Sequence, residues 1–268
     1  MGHSLLAVEG AHDASFFGLL PQRRGFAPAR RLDQVPPFWL PLIPRRFSND
    51  DHGRLNRVIR FPEVCFLSRD NTVGIVLADG EDNMMREVRV PLERLGPQSF
   101  VGVGLALDAD AATTVSARFG TVTDRLRSLN AAAAAEGVPG FPLGVPPAPG
   151  VVASGYPKVG IHLFPDNRSA GTLEDVLLSC AQLNHTRVHR AASALIEYLD
   201  KRGPHADPAL SKLRRGSGRA KAKSGVIGNV LNPGTSLAVA VCTAGWLDGP
   251  ATTTRAVLAA DGFIGDLL

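Results

Sequence analysis

Cysteine is scarce. Cys65, Cys180 and Cys242 lie far apart, and none belongs to a Cys-x-x-Cys pair. That spacing offers no disulfide framework and no zinc signature, and it makes a reducing cytoplasm the default setting. Long apolar runs are missing as well. No stretch reaches the roughly 18 residues needed to span a bilayer, and the N-terminus lacks the basic segment and long apolar run of a secretion signal. Neither membrane nor secreted disulfide-rich classes fit. The chain also lacks a Gly-x-x-x-x-Gly-Lys-Ser/Thr loop, so any ATPase working with it would be a separate protein. Neither sign of charge dominates: 29 Lys and Arg stand against 25 Asp and Glu, a balance of +4. What the chain does have is apolar content, 44% of 268 residues, enough for a sizeable core in one globular domain.

The organising stretch is Phe100-Val101-Gly102-Val103-Gly104-Leu105-Ala106-Leu107-Asp108-Ala109-Asp110-Ala111. A continuous run of small apolar residues reads as a strand of a parallel sheet buried on both faces. Asp108 and Asp110 come where such a strand leaves the sheet, and ligands of open α/β sheets bind outside the strands' carboxyl ends. Two acids one residue apart point to one side of an extended chain. Held that close, they repel unless a cation lies between them. Hard oxygen donors suit magnesium or manganese. The same pattern also suits a solvated loop or the cap of a following helix.

Taken in order, Ser4–Val8 is a short apolar strand ending in Glu9-Gly10, and Ala14–Leu20 has an apolar face at helical spacing. Gly10 allows a sharp strand-to-helix turn, and Asp13 suits a helix cap. Residues 21–62 carry the doublets Arg23-Arg24, Arg30-Arg31 and Arg45-Arg46, and a proline-rich run, Pro36–Pro44, that excludes a long helix. Arginines mixed with aromatics suit nucleic-acid contacts, although a buried loop with a solvated edge explains them better. Residues 63–95 read as a β-meander: strands Glu63–Ser68 and Thr72–Leu77 around a turn at Arg69-Asp70-Asn71, then a third strand, Glu87–Leu92. The turn Asp79–Asn83 between them reads as solvated. The whole segment, about 40–95, looks like an insertion between α/β units. Thr113–Asn130 has the spacing of an amphipathic helix, residues 137–150 are a Gly/Pro loop, and Lys158–Phe164 is a further strand ending at Pro165-Asp166-Asn167. Glu174 and Asp175 open the next helix, where acids often serve the helix dipole. His162, in mid-strand, reads as a core or surface residue rather than a ligand. After a helix over Thr186–Asp200 comes a run of basic residues with no acid between them: Lys212, Arg214, Arg215, Arg219, Lys221 and Lys223. Solvated basic faces are common, but beside a carboxylate site such a run suits a polyanion. Trp246 and the segment Phe263–Leu268 are expected to pack onto the domain.

Leu6-Ala7-Val8-Glu9-Gly10 with Asp13, then Leu107-Asp108-Ala109-Asp110-Ala111, resembles a Toprim domain, the module of topoisomerases, primases and OLD-family nucleases. With Phe164-Pro165-Asp166-Asn167 and Gly171-Thr172-Leu173-Glu174-Asp175, the chain is similar to the Toprim-like, OLD-nuclease-related family catalogued as a domain of unknown function of the DUF3226 type. The likeness covers most of the chain outside about 40–95. It implies an α/β fold: a single Toprim-like domain over 1–268, a mostly parallel sheet flanked by helices, with the β-rich segment 40–95 inserted. It implies Mg2+ or Mn2+ on Glu9, Asp108 and Asp110, a second metal served by Asp13, Asp166, Glu174 or Asp175, and an assisting lysine, Lys221 or Lys223. Metal-dependent hydrolysis of phosphodiester bonds follows, with Lys212, Arg214, Arg215 and Arg219 on the nucleic acid. The implied partners are DNA rather than RNA, a separate ATPase in phage defence, and a second copy of the chain. A topoisomerase would need a nucleophilic tyrosine, and neither Tyr156 nor Tyr198 has that setting. Haloacid-dehalogenase phosphatases want Thr or Val where Ala112 stands. The rival of another class is a Toprim-like module that binds nucleic acid or protein without catalysis.

Overall fold

The computed structural model describes residues 1–43, 65–110, 113–200 and 207–268. Arg45-Arg46 and the first two residues of the proposed first meander strand, Glu63 and Val64, therefore lie outside the described residues. Seven strands form one sheet: β1 (Gly2–Val8), β2 (Ala27–Pro28), β3 (Cys65–Leu67), β4 (Asn71–Leu77), β5 (Gly102–Asp108), β6 (Val152–Ala153) and β7 (Lys158–Phe164). Their order is β2-β3-β4-β1-β5-β7-β6. The central four, β4, β1, β5 and β7, are parallel. The short edge strands β2, β3 and β6 pair antiparallel.

Burial on both faces explains why the central strands read as unbroken apolar runs. Leu5 and Ala7 of β1 and Val103, Leu105 and Leu107 of β5 face one core. It is closed by α2 (Met84–Leu95) through Val88 and Leu92, and by α3 (Val115–Ala135) through Val122 and Leu126. The alternate residues Leu6, Val8, Ala106 and Phe164 face the other core. Covering that side are α1 (Ala11–Arg23), α4 (Leu173–Asn184), α5 (Thr186–Leu199), α6 (Gly218–Leu231), α7 (Leu237–Thr243) and α8 (Arg255–Leu267). The result is an α/β fold of three layers, as the sequence predicts. Trp246 and Phe263 are buried in the second core, also as expected. There α8 lies so close to the sheet that a Cβ on Gly160 would stand 2.6 Å from Phe263 Cε2. Among the described residues, no helix is long and apolar enough to cross a membrane.

Residues 65–95 depart from the expected meander in two ways. The hairpin exists: β3 and β4 pair, with Leu67 opposite Thr72. But β4 also runs parallel to β1 in full register, from Gly2 opposite Asn71 to Val8 opposite Leu77. The hairpin is thus part of the central sheet, not a block set beside it. The expected third strand, Glu87–Leu92, is instead the middle of α2. Val88, Val90 and Leu92 alternate, which suggests a strand. Met84, Val88 and Leu92 also recur every fourth residue, and it is these that are buried while Val90 is exposed. In the proline-rich run, Trp39 is buried and donates from Nε1 to Thr72 Oγ1 at 2.8 Å. Phe38 stacks on His3. These rings pack against the sheet, so the buried-loop reading holds for them.

Candidate functional site

The chain leaves β1 into α1 on one face of the sheet, and it leaves the neighbouring β5 into α3 on the other. Adjacent parallel strands whose helices go to opposite faces leave a crevice outside their carboxyl ends. Glu9 and Asp108 stand at that crevice. Glu9 Oε2 lies 3.4 Å from the Asp108 backbone nitrogen, which donates to it. Burial pushes the Glu9 carboxyl up; the Asp108 N–H and Arg118 offset this in part, and Asp110 and Glu81 add to it.

Asp13 caps α1, accepting from the Gly10 N–H at 2.9 Å, as predicted. Gly10 itself is extended (φ −154°), a conformation open to any residue, so the turn does not depend on glycine. Asp13 does more than cap. It is buried, and burial, then the charges of Glu9 and Glu174, raise its pKa to about 7. Asp108 goes further, to about 8, through burial and then the charges of Asp13 and Glu9, with Glu174 adding. The first amide of α4 partly relieves it: Leu173 N–H donates to Asp108 Oδ1 at 2.9 Å. Glu174 is buried. Its Oε1 lies 3.9 Å from His12 Nδ1, and its Oε2 has no hydrogen-bond partner among the described residues. Glu9, Asp13, Asp108 and Glu174 thus converge from β1, α1, β5 and α4.

The Asp-x-Asp pair is not the two-toothed clamp that extended chain would give. β5 ends at Asp108, and Asp110 has a left-handed backbone (φ +58°), a region Asp tolerates better than most residues. Asp108 is turned toward α4, whereas the Asp110 carboxylate is 54% exposed and lies 3.9 Å from Arg118. Arg118, in the first turns of α3, gathers this side of the crevice. Its Nε donates to the Asp108 carbonyl at 2.9 Å, and its guanidinium meets Glu9 at 3.4 Å and Glu81 at 2.6 Å. Glu81 in turn pairs with Arg125 at 2.8 Å. Burial works against the Arg118 charge, but the hydrogen bond and charge of Glu81, with Glu9 and Asp110, outweigh it and raise its pKa. As placed, no three His, Cys, Asp or Glu side chains among the described residues form a ready metal cage. Arg118 holds Glu9 and Asp110 on the α3 side, while Leu173 holds Asp108 on the α4 side.

Three participants escaped the sequence reading. Glu81 reads as solvated when β4 is assigned to a separate meander; as a sheet strand, β4 brings its own carboxyl end to the crevice. Arg118 is masked by the amphipathic pattern of α3. The signal that marks it is its position in the first turns of the helix that follows the Asp-x-Asp strand. His12 precedes Asp13 and is exposed enough to pass for a surface residue.

Other expected site residues have different work. Asp166 accepts from Ser169 N–H at 2.7 Å and Arg168 N–H at 3.1 Å, and it pairs with Arg255 at 3.1 Å. These bonds, led by those to Ser169 and Arg168, outweigh the effect of burial and hold its carboxyl low. It organises the turn after β7 rather than the acid cluster. Asp175 accepts from Thr172 N–H at 2.8 Å and caps α4. The candidate lysines separate: the charge of Lys221 acts on His12 at the crevice, whereas that of Lys223 acts on His189 of α5. The basic run is not free of acid either. Asp200, at the end of α5, pairs with Arg214 at 3.2 Å and Arg219 at 2.8 Å, while Lys212 and Arg215 are exposed. His162 is buried among Phe17, Phe164 and Phe263 and held neutral by burial, near pKa 3.

Residues 3–257 match a protein family described as a protein of unknown function, DUF3226. The chain belongs to that family. This DUF3226 member also resembles a solved structure, a hypothetical protein from Pyrococcus horikoshii. The two share 17% identity with a TM-score of 0.56 over all of this chain and 95% of the other, a likeness of fold. No functionally curated protein matches the chain.

Proposed function

We propose that this DUF3226 protein is a Toprim-like, OLD-nuclease-related hydrolase of phosphodiester bonds that depends on a divalent metal. The observation that carries the reading is the convergence of four carboxylates, Glu9, Asp13, Asp108 and Glu174, in the crevice at the carboxyl ends of β1 and β5. Burial raises Glu9, Asp13 and Asp108, and repulsion from other members of the cluster adds to it for Asp13 and for Asp108, which reaches about 8. A divalent cation would relieve the repulsion that Asp13, Glu9 and Glu174 exert on Asp108. The donors are all hard oxygens, and the buried Glu174 Oε2 has no partner among the described residues; this set fits Mg2+ or Mn2+. When bound, such a metal lowers the pKa of a water and polarises a phosphoryl oxygen.

The chain's own residues account for the rest. Glu9, Asp108 and Asp110 would hold the ion, with Asp13 and Glu174 as the buried acids beside them. Lys221, the lysine whose charge reaches this end of α1, offsets the charge that develops on phosphorus. Lys212 and Arg215 are free to bind a phosphate backbone without reading its sequence, while Asp200 fixes Arg214 and Arg219 beside them. DNA is the substrate to test first. A separate ATPase partner, a homo-oligomeric form and a cytoplasmic setting belong to the same proposal. Asp166 and Asp175 are left out of the metal set because their oxygens serve a turn and a cap.

One observation favours a second reading, a module that binds without catalysis: Arg118 already supplies a cation to Glu9 and Asp110. Nicking of supercoiled plasmid separates the two. With Mg2+ or Mn2+, the wild type is expected to nick, and Glu9→Ala and Asp108→Ala to lose that activity while remaining folded. Cleavage that survives both substitutions would remove these acids from the chemistry. A purified chain inert in both metals would favour the binding module.

A further inference from the structure

Arg118 is held as an ion is held. Its guanidinium and Nε face oxygens of four residues: Glu81 at 2.6 Å, the Asp108 carbonyl at 2.9 Å, Glu9 at 3.4 Å and Asp110 at 3.9 Å. Its side chain is 10% exposed. A charge so far withdrawn from water must be paired. Two of its partners, Glu9 and Asp110, are carboxylates that the proposed metal would also use. The other two are not: the Asp108 carbonyl belongs to the backbone, and Glu81 reaches away to Arg125 at 2.8 Å. The guanidinium therefore has a place to remain if it gives up Glu9 and Asp110. It touches those two at its weaker contacts and Glu81 at its shortest.

We infer that Arg118 is an internal counter-cation that competes with a divalent metal for Glu9 and Asp110, and that metal binding leaves the guanidinium on Glu81 and the Asp108 carbonyl. The inference rests on the metal-site reading above. Occupancy of the site is thereby opposed by a charge built into α3, which sets the metal concentration at which the crevice fills. Glu81 and Arg125 become part of that setting, because they decide how readily Arg118 lets go.

The experiment is calorimetric titration of Mn2+ into the full chain as wild type, Arg118→Gln, Arg118→Lys and Glu9→Gln. Removing one positive charge about 4 Å from ligand carboxylates at a partly screened site corresponds to about tenfold or more in affinity. Arg118→Gln is therefore expected to bind Mn2+ about tenfold more tightly than wild type, and Arg118→Lys, which keeps the charge, to stay within about threefold. Glu9→Gln is expected to lose binding. Binding in Arg118→Gln alone, with wild type silent, would be the strongest form of the expected result. If wild type binds through Glu9 but Arg118→Gln binds no more tightly, the inference falls and the metal site stands. If neither wild type nor Arg118→Gln shows binding, the metal site and the inference fall together. Should Arg118→Gln not fold in chelator, Mn2+ is expected to restore its circular dichroism at concentrations below those that saturate wild type. A chain still unfolded in Mn2+ would overturn the inference.

Discussion

Asp108→Asn should make the chelated protein more stable at neutral and alkaline pH, although it alters a residue proposed to be functional. Asparagine keeps an oxygen for the Leu173 N–H, 2.9 Å away in the native pair, and removes only the charge. Burial, then Asp13 and Glu9, lift the Asp108 pKa from 3.8 to about 8. A carboxyl whose pKa is higher folded than unfolded holds its proton more tightly in the folded chain. Its penalty is therefore absent below about pH 4, grows as the unfolded chain releases the proton, and is complete above about pH 8. At about 1.4 kcal/mol per pH unit, that is roughly 4 kcal/mol at pH 7. Asp13 helps to raise Asp108, so substituting Asp13 also relieves Asp108, and the two gains do not add. For a chain of this length, the single change corresponds to a rise of about 8 °C in Tm, at roughly 2 °C per kcal/mol. Differential scanning calorimetry in chelator at pH 5 and pH 8 would measure it. Wild type should lose stability between these values, and Asp108→Asn should lose much less. A variant no more stable than wild type at pH 8, or a wild-type Tm flat across that range, would refute the electrostatic reasoning.

Three further outcomes follow from the same geometry. Lys221→Ala should slow plasmid nicking on the order of 10²-fold, the usual cost of losing a charge-stabilising donor, while Lys223→Ala changes it little; equal losses would mean that the two lysines are not divided as their effects on His12 and His189 indicate. Asp175→Ala should cost about 1 kcal/mol in urea unfolding through loss of the α4 cap, with Mn2+ affinity unchanged; a large loss of metal affinity would return Asp175 to the ligand set. Phe164→Ala removes a fully buried ring between α1 and α4 and should cost about 3–5 kcal/mol in the same unfolding measurement; a cost under about 1 kcal/mol would mean that the second core is not packed as described.

Much of the central sheet was legible because its strands have one strong signal. Leu5–Val8 and Phe100–Leu107 are unbroken apolar runs, Val159–Phe164 is interrupted only by His162, and each is followed within two residues by an acid; strands buried on both faces read that way. The helices α1, α3, α4 and α5 were legible from their apolar spacing. Residues 84–95 were not, because Val88, Val90 and Leu92 satisfy period two while Met84, Val88 and Leu92 satisfy the helical period; only burial shows which period wins. The edge strands β2 and β6, two residues each, carry no periodicity at all. In the site, Glu9, Asp108 and Asp110 could be placed at strand ends and Asp13 and Glu174 at helix starts from the sequence, whereas a shared metal role for them followed only from the family resemblance. Asp166 and Asp175 look the same in sequence, and only their hydrogen bonds reveal a turn and a cap. Arg118 and Glu81 depend on the order of strands across the sheet, which local patterns do not encode.

The most direct measurement is anomalous diffraction at the manganese edge from crystals of the wild-type chain grown with Mn2+. A peak among Glu9, Asp108 and Asp110, with Arg118 withdrawn toward Glu81, is the expected result. A crevice without a peak, or Mn2+ bound only elsewhere on the chain, would contradict the assignment of these acids as a metal centre.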